Sequence, residues 1–244
     1  MPLMLRSLLA ASLLSLAACA QAGPANQDEI EKIVRAYLLE NPEVIRDALV
    51  ELERRDQQAE LDRSYDAIEN LSDQIFRDPR DYAIGPKDAK VQVVEFFDYN
   101  CGYCKRSTDW VQDTIDKHPD DVRVVFKELP VLTGPDGTSH LAARAALAAA
   151  RQGKYSTFHF AMMGERALNE ARILKLADEH GLDAAQLKTD MDDPAIRRQI
   201  DDNLQLASQI PALTGTPFFI VNDQFISGAS IDRLQAALET QLES

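Results

Sequence analysis

One stretch constrains this chain more than any other: Val91-Gln92-Val93-Val94-Glu95-Phe96-Phe97-Asp98-Tyr99-Asn100-Cys101-Gly102-Tyr103-Cys104. Its first half is apolar, β-branched and aromatic, which reads as a buried strand. Two cysteines separated by two residues follow, and Val111 and Ile115 beyond them mark the apolar face of a helix. The first cysteine then stands at a helix N-terminus, where free amides and the helix dipole favour the thiolate. The thiolate is the reactive form, so position alone makes Cys101 a nucleophile at neutral pH. Cys104 lies one turn inside, close enough to resolve a mixed disulfide by attacking Cys101. Gly102 and Tyr103, between them, tune the thiolate and therefore the redox poise.

The rest of the cysteine count supports chemistry over architecture. The chain has 244 residues and three cysteines. Cys19 falls in a targeting segment, residues 1–22, with Arg6 ahead of an apolar run from Leu8 to Leu16 that is too short to cross a bilayer. Ala20-Gln21-Ala22 is an Ala-x-Ala cleavage site, whereas Leu16-Ala17-Ala18-Cys19 resembles a lipoprotein box that would leave a lipidated anchor at Cys19. Both exits deliver the chain to an oxidising space, the periplasm, where disulfides persist. A bond between Cys101 and Cys104 closes too small a loop to staple a fold. Half a zinc site is the other bland reading, but no second Cys/His pair stands at ligand spacing, so no metal and no cofactor is expected. The net charge of −14 argues against nucleic acid and against an anionic membrane as partners.

Residues 23–78 carry no strand signal and read as a helical stalk. Asp28 to Glu40 has helical periodicity, and Asn41-Pro42-Glu43 restarts the helix with a cap, a proline at the first position and an acid in the first turn. Ile45, Leu49, Leu52 and Ala59 follow at coiled-coil spacing. A second stripe, Leu61, Tyr65, Ile68, Leu71 or Ser72, and Ile75, runs in a shifted phase, and the polar run from Arg54 to Gln58 marks the break. Three short amphipathic helices must bury these stripes on the body of the chain or on sister chains. The phase break at Asp56 suggests a hinge.

From residue 79 onward the pattern is α/β. Val122 to Leu129 is a second strand, which completes a right-handed βαβ unit with the first strand and the helix after Cys104. Helices are expected over 141–151, capped by Thr138 or Ser139, and over 155–166, 170–180 and 184–208. The sheet resumes at Pro217 to Val221 and Gln224 to Ile226, before a final helix from Ile231 to Leu242. Glu95 breaks an apolar run that does not alternate, so it is expected to be buried with a raised pKa, able to exchange a proton with Cys104. Lys127 on the next strand is a candidate partner for that charge, or else a solvated strand end. Tyr99 reads as groove or packing, and Trp110 as core or site rim. His159 beside Met162 and Met163 reads as core packing rather than a soft-metal cluster.

The strand, Cys-x-x-Cys and helix resemble the active site of DsbA-like thiol–disulfide oxidoreductases, over residues 79–244. That resemblance implies a thioredoxin fold with a helical insertion at about 138–208. Thr214-Gly215-Thr216-Pro217 resembles the family's cis-proline loop. By that likeness Thr216 precedes a cis bond beside Cys101 and the loop pairs with the substrate backbone; the plain alternative is a trans proline at a strand start. An acid at the step held by Glu95 also resembles the family. Leu39-Glu40-Asn41-Pro42-Glu43-Val44-Ile45 resembles the N-terminal region of the suppressor-of-copper-sensitivity protein C (ScsC) branch, which implies a homotrimer joined through residues 26–75. The implied activity is disulfide isomerase or reductase on misfolded or disulfide-containing exported clients, kept reduced by a membrane thiol reductase of the DsbD or ScsB kind. The rivals are a monomeric dithiol oxidase and a Cu(I)-binding protein of copper tolerance.

Overall fold

The computed structural model describes residues 26–244, so the targeting segment, Cys19 and both cleavage points lie outside the described residues. The chain divides into two units between Asp56 and Gln57, earlier in the sequence than the 78/79 boundary expected.

The first unit holds α1 (Gln27–Glu40) and the start of α2 (Glu43–Asn70). No residue of α1 is buried, and Ile30, Ile33, Tyr37, Leu39, Leu49, Val50 and Leu52 are all exposed. α2 is one helix of 28 residues and runs straight through the run from Arg54 to Gln58. The shift in apolar phase does not break it. Arg, Gln, Glu and Ala are good helix formers, and Glu51 holds Arg54 at 2.9 Å and Arg55 at 2.7 Å on the following turn.

The second unit is a five-stranded sheet with helices on both faces. Its strands are β1 (Tyr82–Ile84), β2 (Val91–Phe97), β3 (Val122–Glu128), β4 (Phe218–Val221) and β5 (Gln224–Ser227). Their order is β1-β3-β2-β4-β5; only β2 and β3 are parallel, and the other pairs are antiparallel. β2 is central and covered on both sides, which explains its almost unbroken apolar sequence.

Alternation along the strands divides the core in two. Val93, Phe97, Phe126 and Phe219 face α4 (Gly102–Lys117), the helices inserted between β3 and β4, and the terminal helix α10 (Ile231–Glu243). Val94, Phe96, Val125 and Phe218 face the other way, against Ile68 of α2, Ile75 of α3 (Ser72–Phe76) and Leu206 of α9 (Pro194–Ser208).

The insertion comprises α5 (Thr138–Arg151), α6 (Tyr155–Gly164), α7 (Glu170–Glu179), α8 (Ala184–Met191) and α9. Two details differ from expectation. Neither Thr138 nor Ser139 caps α5; Gly137 takes that position and no side chain caps it. The stretch 184–208 is two helices, because the Asp193 side chain accepts the Ala195 amide and Pro194 opens a new first turn.

Candidate active site

β2 ends at Phe97, and the chain turns through Asp98, Tyr99 and Asn100 into α4. Asp98 is buried and organises this turn. Its side chain accepts the amides of Asn100 at 2.8 Å and Leu132 at 2.9 Å, while its carbonyl accepts the amide of Cys101 at 3.0 Å. Asn100 ties the turn to α5 by donating to Thr138 Oγ1 and Ser139 Oγ. Cys101 is thereby held as the N-cap of α4.

Both cysteines are free thiols, and both are buried. The Cys101 thiol is pulled down to about 5, first by a hydrogen bond from Cys104, then by Thr216 and the amides of Cys104 and Tyr103, against the opposing effect of burial. Relative to an ordinary thiol this stabilises the reduced state at neutral pH. Burial drives the Cys104 thiol the other way, far above its usual range. One cysteine is therefore charged and the other protonated at neutral pH, as a nucleophile and a resolving thiol require.

Gly102 and Tyr103 are exposed between them. A Cβ on Gly102 would meet nothing within 4 Å, and Arg106 stacks over the Tyr103 ring at 4.4 Å. The Thr216–Pro217 peptide bond is cis, and Cys101 Sγ lies 3.2 Å from the Thr216 carbonyl oxygen.

Glu95 is 2% exposed on the α4 face of β2. Burial pushes its carboxyl up to about 8; a 3.4 Å hydrogen bond from Ser107 opposes that, and the charge on Cys101 adds to it. Its charge also raises Cys104. Lys127 is not its partner, nor is it a solvated strand end. It pairs in register with Phe96, one residue out of step, so it points to the opposite face. There it is fully buried, in an ion pair with Asp81 and donating to the Gln74 carbonyl of α3.

Sequence reasoning overlooked Glu128. It follows Lys127 and so returns to the Glu95 face, 1% exposed. Tyr155 donates to it at 2.7 Å and Tyr99 at 3.3 Å, and the Tyr99 hydroxyl lies 2.8 Å from His159 Nδ1. Burial raises the Glu128 carboxyl well above its usual range and pulls His159 down to about 3. The uneven apolar run that exposed Glu95 was the available signal. Tyr99 is thus buried packing rather than groove, and among the described residues no group of side chains suits a metal ion. Trp110 is core: it donates to Gln235 at 3.1 Å and meets Phe219 edge-on.

The DSBA-like thioredoxin domain family matches residues 92–239, well over half the chain. The chain belongs to that family. Residues 26–59 match the copper resistance protein ScsC N-terminal domain. A thioredoxin-like oxidoreductase from Silicibacter pomeroyi DSS-3 is 41% identical over 70% of this chain and 98% of its own, with a TM-score of 0.64. Proteus mirabilis ScsC in a transitional conformation is 27% identical over 88% of this chain and 96% of its own, with a TM-score of 0.65. The same protein is also known in a compact conformation. A Na(+)/H(+) antiporter NhaA from Herminiimonas arsenicoxydans is 34% identical over 61% of this chain, which spans only 23% of the antiporter. The chain therefore covers about a quarter of the curated relatives it matches, and among the described residues no helix is long and apolar enough to cross a membrane.

Proposed function

We propose that this chain is an exported thiol–disulfide oxidoreductase that reduces and isomerises disulfides in client proteins of the periplasm. The observation that carries the reading is the split between its two cysteines, one charged at the mouth of α4 and one protonated beneath it. The Cys101 thiolate attacks one sulfur of a client disulfide; the new bond is Cys101–client, and the other client sulfur leaves as thiolate. That thiolate attacks a second client disulfide, and the client thiolate so freed attacks the client sulfur of the Cys101–client bond; a new client disulfide forms and Cys101 leaves as thiolate, which is isomerisation. Alternatively, once Cys101 is in the mixed disulfide its charge no longer raises Glu95, and the ionised fraction of that carboxyl takes the Cys104 proton; Cys104 then attacks Cys101, releasing the reduced client and leaving the Cys101–Cys104 disulfide. A membrane thiol reductase of the DsbD or ScsB kind restores the pair. Gly102 and Tyr103 set the exposure of the nucleophile, and the Thr216–Pro217 loop aligns the client.

The assembly is a homotrimer joined through the N-terminal unit. The exposed apolar side chains of α1 and early α2 support this, as does the ScsC-type match over the same residues. Of the stretch 26–75 first considered, Ser64, Ile68 and Ile75 are buried within the chain's own catalytic unit and are spent there. Several active sites on one axis would hold a misfolded client while its disulfides reshuffle. α2 runs unbroken through Asp56, so the hinge expected there is not a break in the helix. Scrambled ribonuclease regains activity with the full chain and much less with a chain lacking residues 24–56; no recovery with either would defeat isomerisation. The copper-tolerance reading has one observation in its favour, two adjacent free thiols beside an ScsC-type domain. Cu(I) titration of reduced wild type against Cys101→Ser tests it.

A further inference from the structure

The cis-proline loop is gripped from a direction that the redox chemistry leaves unexplained. Ser64 lies in the middle of α2, fully buried, where a helix of this kind ordinarily carries an apolar residue. Its hydroxyl donates to the Glu60 carbonyl at 2.8 Å, which uses its one proton. Its free lone pairs then accept the amide of Ala212 at 3.0 Å. Within the same loop Leu213 and Thr214 donate to the backbone carbonyls of Ile210 and Ala212, and Pro211 has no amide to give. The Ala212 amide therefore depends on Ser64. Four residues later comes Thr216, whose carbonyl stands 3.2 Å from Cys101 Sγ.

The far side of Pro217 is held by the same helix. Tyr65 packs on Phe225 at 4.9 Å, and Phe225 stacks on Phe218 at 5.5 Å, the residue after the cis-proline. Ile68 and Ile210 are buried in the same cluster as Phe218, with Leu213 packed against it. One hydroxyl before the proline and one ring after it bracket the loop.

We propose that Ser64 is a positioning residue for the cis-proline loop, through which α2 sets where Thr216 stands for a client backbone. This rests on the reading of Cys101 as the attacking thiol. An alanine at position 64 would pack as well but leave the half-buried Ala212 amide without its partner, which costs more than an absent contact. The loop would then shift to find an acceptor.

The test uses the full chain as wild type, Ser64→Ala and Ser64→Thr, reacting in the reduced state with a small aliphatic disulfide and with a disulfide-bonded peptide. In Ser64→Ala the peptide reaction slows by about fivefold to tenfold, the loss expected from one hydrogen bond. The small disulfide, which makes no backbone pairing, reacts within about twofold of wild type. Ser64→Thr, which keeps the hydroxyl, restores the peptide rate to within about twofold. The Ala212 amide exchanges with solvent at least about tenfold faster in Ser64→Ala, while the amide of Val94 is unchanged. A peptide rate equal to wild type in Ser64→Ala, or an equal loss in Ser64→Thr, overturns the inference. So does unchanged exchange at Ala212. Wild-type protein inert toward both disulfides would instead defeat the redox reading, and this inference with it.

Discussion

The two faces of the sheet bury charge in opposite ways. On the face toward α4, Glu95 and Glu128 are carboxyls with hydroxyl partners and no cation, and burial raises both. On the other face Lys127 is buried against Asp81, whose carboxyl burial pushes up while the ammonium pulls it back. Gln199 adds a 3.2 Å bond to Asp81 and one of 2.8 Å to the Arg80 carbonyl. The paired face is built to stay put; it locks α3, β1 and α9 onto β3. The unpaired face keeps protons that can move, and it lies under the cysteines. Ionisable side chains one strand position apart thus sit in opposite surroundings, an ion pair on one face and carboxyls without a cation on the other.

Removing one member of the paired face should give the largest effect. Lys127→Met leaves Asp81 alone in the core and costs about 3–5 kcal/mol in chemical denaturation, whereas Lys127→Met with Asp81→Leu recovers most of it. Exchange rates at Cys101 should be unaffected in the folded fraction. A loss of reactivity without a loss of stability would break the comparison.

Glu95→Gln should do the reverse. The protein stays folded, and mixed disulfides with Cys101 accumulate because their resolution by Cys104 slows by about 100-fold. Rapid acid quenching and mass measurement reads the trapped species. Stability at or above wild type is expected at pH 7, since the wild-type carboxyl must take up a proton on folding there and the amide need not.

The pH dependence sharpens the contrast. Glu95 is raised from 4.5 to about 8, so its share of stability is full below 4.5 and falls as pH rises through 8. Cys101 is lowered from 9.0 to about 5, so its share is full above 9.0 and falls as pH drops through 5. In reduced protein the two oppose each other between pH 5 and 8. In oxidised protein Cys101 no longer titrates, and stability should decline with pH across that range by up to about 1.4 kcal/mol per unit more than in reduced protein. Urea unfolding of both forms at several pH values measures it, and Glu95→Gln should flatten the oxidised curve.

The smallest effect belongs to Glu128→Gln. A neutral acid exchanged for a neutral amide keeps an acceptor for Tyr155, so the expected loss is about 1 kcal/mol or less. A loss comparable to that of Lys127→Met would show Glu128 to be charged, and the two faces to be alike.

Much of this site was legible because local signals coincide there. Val91 to Phe97 reads as a buried strand without a partner in view, and the cysteines mark the start of α4. Glu95 betrayed its burial by interrupting a run with no alternation. Lys127 was misjudged because strand parity alone does not reveal register: pairing with Phe96, not Glu95, puts it on the far face, and its partner Asp81 lies in a separate segment. The division at Asp193-Pro194 was written in a cap and a proline, but continuous apolar periodicity from 184 to 208 masked it. α2 taught the converse, since a change of apolar phase at Asp56 left the helix itself intact. Ser64 gave no local sign at all; a serine inside a polar helix looks solvated until the loop before Pro217 is folded against it.

The most direct measurement is the ultraviolet titration of the Cys101 thiolate in reduced protein, with Cys101→Ser as the blank. A midpoint near pH 5 is predicted, with no second thiol ionising below pH 9. A midpoint at the value of an ordinary cysteine, about 8.5, would contradict the account, because nothing would then distinguish the two thiols.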